Sequence, residues 1–348
     1  MVGLDIGTGF IKAAEISFAQ AVPLLKAVAV ARIPEELNHE GQIADFRALG
    51  EFLAKLWSQQ KLSCRNVTAA INSRHVFLRE ITLPAMSRAE LAAAIKWDLG
   101  NYIPYEENSC YYDFAPTTSE SGQESRALLA AALKETVDNV AAALFAAGCK
   151  VWAIDIEALA AQETIETAAG KISVIVDIGQ FQSQIIIFSE KIPVLTRVIP
   201  WGGQRFTEIM QAGFELELQE AEAFKLRPEA NTFRQKFALE DFYAREAKIE
   251  KEIKNLIVEL TAEIESVTAY YLEKNPAKSV QHIYLTGGGA NLKNLVTGME
   301  RKFAPLPLQV PDPLTKLKIA SDLNEDYLKS VAPQLNIAVG LALRGGRL

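Results

Sequence analysis

The 348-residue chain has only three cysteines, Cys64, Cys110 and Cys149, far apart and in no CxxC pair, so neither a disulfide framework nor a zinc cluster follows. A reducing compartment fits that scarcity. The three histidines, His39, His75 and His282, share no ligand spacing with one another or with a cysteine, and read as surface or boundary residues. No stretch reaches the roughly 20 consecutive apolar residues that a transmembrane helix needs. Met1-Val2-Gly3-Leu4-Asp5 carries an acid where a signal peptide has basic residues, so the expected location is cytoplasmic. Positive charge is short too. With 36 basic and 43 acidic residues the net charge is −7, which argues against nucleic acid or an anionic bilayer as the main partner. Neither common nucleotide signature is present: no GxxxxGK[ST], which excludes a P-loop, and no GxGxxG opening a βαβ unit.

What the chain does have is the composition of a folded protein, 49% hydrophobic and 23% charged, and length for about two domains. Apolar runs predict strands at Val2–Ile6, Ile11–Phe18, Leu24–Ile33, Val67–Ile71 and Val76–Leu83, with a helix over Asp45–Ser58. After Pro84, Ser87 and Glu90 form a capping-box pattern for a helix running to about Asn101. A small inserted unit is expected to follow. It holds a strand near Cys110–Phe114, a polar loop from Thr117 to Glu124, a strand Arg126–Leu133 and an alanine-rich helix ending at Gly148. Strand Val151–Ile156 and a helix from Glu157 to Ala168 close the first lobe. A second lobe opens near residue 171 with strands Ile172–Asp177, Ser183–Phe188 and Val194–Ile199, and Gly203 to Asn275 is almost all helical. In it Ile249, Ile253, Leu256, Ile257, Leu260, Ile264, Val267 and Tyr271 share one face, which reads as a packed domain helix rather than a coiled coil because the pattern lasts only about three heptads. A strand Gln281–Leu285 comes next.

One arrangement occurs twice: a strand, Asp-Ile-Gly, and a return strand, at Asp5-Ile6-Gly7 and at Asp177-Ile178-Gly179. The chain reads as internally duplicated. A carboxylate at a strand end beside a glycine turn offers a metal-binding oxygen and bare backbone N–H groups together, which suits hydrated Mg²⁺ and phosphate. Alone, either copy is a weak signal, because aspartate and glycine are common in turns for local reasons. Three features strengthen it. Lys12 follows Asp5 by seven residues on the return strand, where its ammonium can reach a phosphate; Ser183 follows Asp177 by six. Gly287-Gly288-Gly289 lies between a strand and a helix, where amides and the positive helix end let a nucleotide approach the chain.

Asp5 to Lys12, with Gly7 and Thr8 in the turn, Asp177 to Ser183, with Gly179, and Thr286 to Asn291, in this order, resemble the phosphate and adenosine loops of the actin, heat-shock chaperone and sugar-kinase ATPase superfamily. End to end the chain resembles more narrowly the PilM family of actin-like type IV pilus assembly proteins, through Leu83-Pro84-Ala85-Met86-Ser87, Tyr102-Ile103-Pro104-Tyr105, Gly202-Gly203, Pro311-Asp312-Pro313 and the run Ala338 to Gly345. The FtsA relatives share the loops and the insertion, but usually end in a membrane-targeting amphipathic helix, of which Ala338 to Leu348 has no sign.

The resemblance implies an α/β, actin-like ATPase fold: two lobes of duplicated ribonuclease-H-like domains, with a small α/β subdomain inserted in the first. The expected division is a first lobe 1–170 (core 1–82 and 150–170, insertion 83–149) and a second lobe 171–348 (core 171–201 and 276–348, helical subdomain 202–275), with a C-terminal helix at about 334–344 able to pack back on the first lobe. It implies ATP or ADP with Mg²⁺ in the cleft, the metal held through water by Asp5 and Asp177, phosphate met by Lys12, and adenosine backed by Gly288 and Gly289. Glu222 and Lys225 match the pair that meets ribose and adenine, and Glu157 the residue that orients the attacking water. The departure Gln180-Phe181-Gln182, where chaperone-type relatives carry glycine and threonine, points to weak hydrolysis at most. The implied partner is the N-terminal cytoplasmic tail of a PilN-like inner-membrane protein, met near the helix Arg88–Leu99 and the strand Cys110–Phe114, with other platform proteins and motor ATPases as further candidates. An actively hydrolysing ATPase and an FtsA-like filament are the alternatives.

Overall fold

Apolar, β-branched sequence joined by short turns produces a meander at the start of the chain: β1 (Val2–Ile6), β2 (Phe10–Ser17) and β3 (Leu24–Arg32), successive strands antiparallel. The computed structural model describes residues 1–39, 42–43, 45–117, 124–166, 171–226 and 236–348; most of the expected polar loop and the expected helix end at Ala168 lie outside them. Asp45 caps α1 (Phe46–Gln59) by accepting from the amides of Arg47 and Ala48, and the helix crosses to β4 (Asn66–Ile71), parallel to β1. Next come β5 (Val76–Pro84), α2 (Arg88–Trp97), a helical turn at Leu99–Tyr102, β6 (Cys110–Thr117), β7 (Glu124–Leu133) and α3 (Lys134–Ala146). The capping box at Ser87 and Glu90 is formed, and Gly148 ends α3 with φ 71°. Then β8 (Lys150–Ile156) pairs in parallel with β4 and leads into α4 (Glu157–Glu163).

The pattern repeats. β9 (Ile172–Ile178), β10 (Ser183–Ser189) and β11 (Ile192–Ile199) form a second meander, followed by α5 (Gln204–Phe214), α6 (Leu218–Leu226) and the long α7 (Leu239–Lys274). After α7, β12 (Val280–Thr286) returns parallel to β9; α8 (Lys293–Phe303), β13 (Leu308–Gln309), β14 (Lys318–Ile319), α9 (Glu325–Val331) and α10 (Asn336–Gly345) complete the chain. The main sheets run β8-β4-β1-β2-β3-β14 and β11-β10-β9-β12-β13, and β5-β7-β6 form a separate three-stranded sheet. In both main sheets the Asp-Ile-Gly strand sits between its antiparallel hairpin partner and a parallel crossover strand. The duplication is therefore one of topology as well as sequence.

Packing moves two of the expected boundaries. The expected insertion spans 83–149, yet the strand from Val76 already belongs to the small sheet, with its own core of Ile81, Leu91, Ile95, Leu99, Ala127 and Leu129. At its other end α3 turns Val140, Ala143 and Leu144 into the first-lobe core beside Leu49 and Leu53 of α1. The expected second lobe takes in 276–348 with its C-terminal helix packing back on the first lobe, and β14 in addition extends the first sheet by pairing with β3. Helix α10 lies so close on β1 that a Cβ on Gly3 would overlap the Ala338 carbonyl. A small cluster of Ala158, Ala160, Ala161, Ile175, Ile186, Phe188, Ile337 and Leu341 joins α4 and α10 to the second sheet. The apolar face of α7 is buried along Ile249 to Tyr271 as its spacing predicts.

Candidate functional site

Between the lobes lies a cleft of about 400 Å³, and it gathers most of the residues that the sequence singles out. Asp5, Gly7, Thr8 and Lys12 line it from the first hairpin, Asp177 and Gly179 from the second, Gly288 and Gly289 from the third loop, and Glu157, Glu222 and Lys225 from helices α4 and α6. The hairpins share one local design. The amide of Gly7 donates to the Phe10 carbonyl at 3.1 Å and that of Gly179 to the Gln182 carbonyl at 3.0 Å, closing each turn beneath its aspartate. A Cβ on Gly7 would lie 2.7 Å from the Lys12 ammonium and 2.9 Å from the Phe10 carbonyl, so the close turn needs glycine.

Strand pairing sets the charges. Asp5 lies opposite Lys12 in the β1–β2 register, and their Oδ2 and Nζ are 2.9 Å apart. Burial alone would lower the Lys12 pKa, but Asp5, then Asp177 and Glu157, outweigh it and hold the ammonium above the ordinary lysine range. Glu157, buried where β8 passes into α4, accepts from the Ser73 amide at 2.9 Å. Burial first, and the Asp5 charge second, push its carboxyl up to about 8. Asp177, which accepts from the Thr286 hydroxyl, is raised to about 6, chiefly by desolvation. Three carboxyl groups thus face the Lys12 ammonium, and of these Asp5 and Asp177 are the two placed to hold a divalent cation. Among the described residues no group of three or more His, Cys, Asp or Glu is placed to hold an ion by itself, so waters and phosphate oxygens would supply the remaining ligands, as Mg²⁺ prefers.

Deeper in the second lobe, Glu222 and Lys225 pair at 2.8 Å across one turn of α6. Burial opposes the Glu222 charge, but Lys225 and donors from Thr207 and Gln180 overcome it and lower its pKa. Around them Leu226, Leu292, Val331 and Ile337 give the cleft an apolar wall.

Two of the expected site residues are turned elsewhere. Ser183 is buried, and its hydroxyl donates to the Trp201 carbonyl at 2.5 Å, because a position six after Asp177 falls on the opposite face of β10. Gly287 makes the turn at φ 80°, but its amide donates to the Pro333 carbonyl, so only Gly288 and Gly289 of the triple glycine line the cleft. Gln184 was missed. It lies seven residues after Asp177 and opposite it in register, the place Lys12 occupies beside Asp5; it lines the cleft, is 5% exposed, and neither amide atom bonds within the protein. The equal seven-residue step was its signal in the sequence. Gln180 and Asn72, and Ser330 and Gln334 around α9, also line the cleft and carried no comparable signal.

The family model of type IV pilus assembly protein PilM matches residues 3–346. The chain belongs to the PilM family. Its structure resembles that of a PilM-PilN type IV pilus biogenesis complex with a TM-score of 0.81 and 27% identity, over 99% of this chain and 98% of that one. It also resembles the ethanolamine utilization protein EutJ from Carboxydothermus hydrogenoformans, with a TM-score of 0.58 and 15% identity over 98% of this chain and 88% of that one. The fold of this PilM-family chain is actin-like, two duplicated α/β lobes around one cleft, and the chain is a pilus assembly protein by family. Among the described residues no helix is long and apolar enough to cross a membrane.

Proposed function

We propose that the chain binds ATP or ADP with Mg²⁺ in the interlobe cleft and, in that role, engages the N-terminal cytoplasmic tail of a PilN-like inner-membrane protein, which would recruit it to the inner face of the cytoplasmic membrane. The observation that carries the nucleotide half is the convergence of two glycine–aspartate hairpins and the Gly288-Gly289 loop on one cleft, where Lys12 pairs with Asp5 and Asp177 faces them. In this reading the phosphates lie between the hairpins beside Lys12, the metal rests on Asp5 and Asp177, and the ribose meets Glu222. Bound Mg²⁺ would supply charge neutralisation for the phosphates. The partner half is supported by the family match and by the likeness to the PilM-PilN complex.

Hydrolysis is weak in this proposal. The second hairpin carries Gln180-Phe181-Gln182 where chaperone-type relatives have glycine and threonine, which leaves fewer hydroxyl groups to place an attacking water. Isothermal titration of ATP–Mg²⁺ tests the site: Asp177→Ala should weaken binding at least tenfold, and equal affinities would remove the assignment. Pull-down with a synthetic N-terminal peptide of the PilN-like protein, with and without ATP, tests the partner; no capture in either condition refutes it.

A further inference from the structure

Gln180, the first residue after the second hairpin's glycine, touches both lobes and the nucleoside-facing pair at once. Its backbone carbonyl accepts from the Gln204 amide at 2.8 Å, and a Cβ on Gly202 would overlap that carbonyl, so the main chain here is clamped against the start of α5. Its side chain is 8% exposed. Nε2 donates to Gln204 Oε1 at 2.7 Å and to Glu222 Oε1 at 3.1 Å. That same Glu222 oxygen accepts from the Thr207 hydroxyl at 2.5 Å and from Lys225 at 2.9 Å, so three donors fix the carboxylate plane. From the opposite lobe Gly9 presses on the same side chain: a Cβ there would lie 2.5 Å from Gln180 Cβ and 2.7 Å from Cγ. Beside it the Phe181 amide donates to the Thr8 hydroxyl at 3.4 Å.

We infer that Gln180 is a positioning residue that couples contact between the two hairpins to the orientation of Glu222, and so sets the preference of the cleft for a nucleotide with ribose hydroxyls. The inference rests on the nucleotide reading above. When the lobes are together, Gly9 leaves the Gln180 side chain one place to lie, with its amide on Glu222. When they part, that constraint is gone and Glu222 loses one of its three donors. A ligand that hydrogen-bonds Glu222 therefore binds the closed arrangement better, and by linkage favours it. The glutamine that interrupts the glycine-rich pattern of this hairpin thus serves recognition of the sugar rather than of the phosphates.

The measurement is the ratio of affinities for ATP and 2′,3′-dideoxy-ATP, each with Mg²⁺, by isothermal titration. The wild type should prefer ATP about tenfold, the usual loss when a hydrogen bond to a charged group is removed. Gln180→Ala should bring the ratio close to one while leaving dideoxy-ATP affinity within about threefold, and Glu222→Gln should lower the ratio as well. Gly9→Ala, on the opposite lobe, should lower the ratio as well, because the added methyl displaces Gln180. Gln180→Met fills the same volume without a donor and gives the same readout should the alanine variant fail to fold. A wild-type ratio in Gln180→Ala or Gln180→Met, or equal losses for both nucleotides in Gly9→Ala, would overturn the inference and leave nucleotide binding intact. A wild type that binds both nucleotides equally overturns it too, while one that binds neither overturns the nucleotide reading first.

Discussion

Glu157 holds a proton in the folded chain that it would release in the unfolded one. Its carboxyl titrates near about 8 rather than at the ordinary 4.5, so between those values the native state is the more protonated and stability falls as pH rises. Asp177, raised to about 6 from 3.8, contributes in the same direction over a lower range. Glu157→Gln removes the first contribution. In buffer free of Mg²⁺ and nucleotide, its melting temperature should exceed that of the wild type by a margin that grows from pH 5 to pH 8 and then levels. A constant margin across that range would mean that Glu157 is ionised throughout. At this scale the sequence was informative wherever chemistry follows from residue type and from an even step along a strand. Asp5, Lys12 and Asp177 were readable for that reason. Ser183 was not, because a six-residue count ignores the two-residue alternation that brings Gln184 to the cleft instead.

Elements were legible where local rules decide them. Ser87 and Glu90 announce the start of α2 by type and spacing alone, and Ser87→Ala should cost about 1 kcal/mol in denaturant melts. What an element packs against is another matter. An alanine-rich helix such as α3 shows an apolar face, but nothing in its period says whether that face meets the inserted sheet or α1, and the structure sends it to α1. The same holds for α10, whose small residues let it approach two neighbours. Gly340 leaves no room against the Ala160 carbonyl, so Gly340→Ala should destabilise the chain by about 3 kcal/mol or more, well beyond the effect of an ordinary helix glycine. A midpoint shift under a third of that would show that α4 and α10 can separate without cost.

For the whole molecule, the cleft and the inserted unit sit on a scaffold in which α4, leaving the first sheet, packs on the second, while α10, arriving from the second lobe, packs on the first. Asn336 fastens this crossing, accepting from the Thr164 hydroxyl and donating to the Ala161 carbonyl at 3.1 Å. If nucleotide and partner peptide each favour one arrangement of the lobes, linkage requires their effects to be equal: the factor by which ATP changes peptide affinity must match the factor by which peptide changes ATP affinity. Paired titrations measure that factor, and a factor of one in both directions would show that nucleotide and peptide do not bias a common equilibrium of the lobes.

The contact of α10 with β1 also bears on how the chain is made. Gly3 and Ala338 meet although almost the whole length of the chain separates them, so β1, β2 and β3 are synthesised long before the helix that covers their sheet. Throughout translation Ala14, Ile16 and Val28 lack the neighbours that shield them in the finished protein. In a nascent chain that apolar face of the first sheet therefore stays uncovered until α10 has been made.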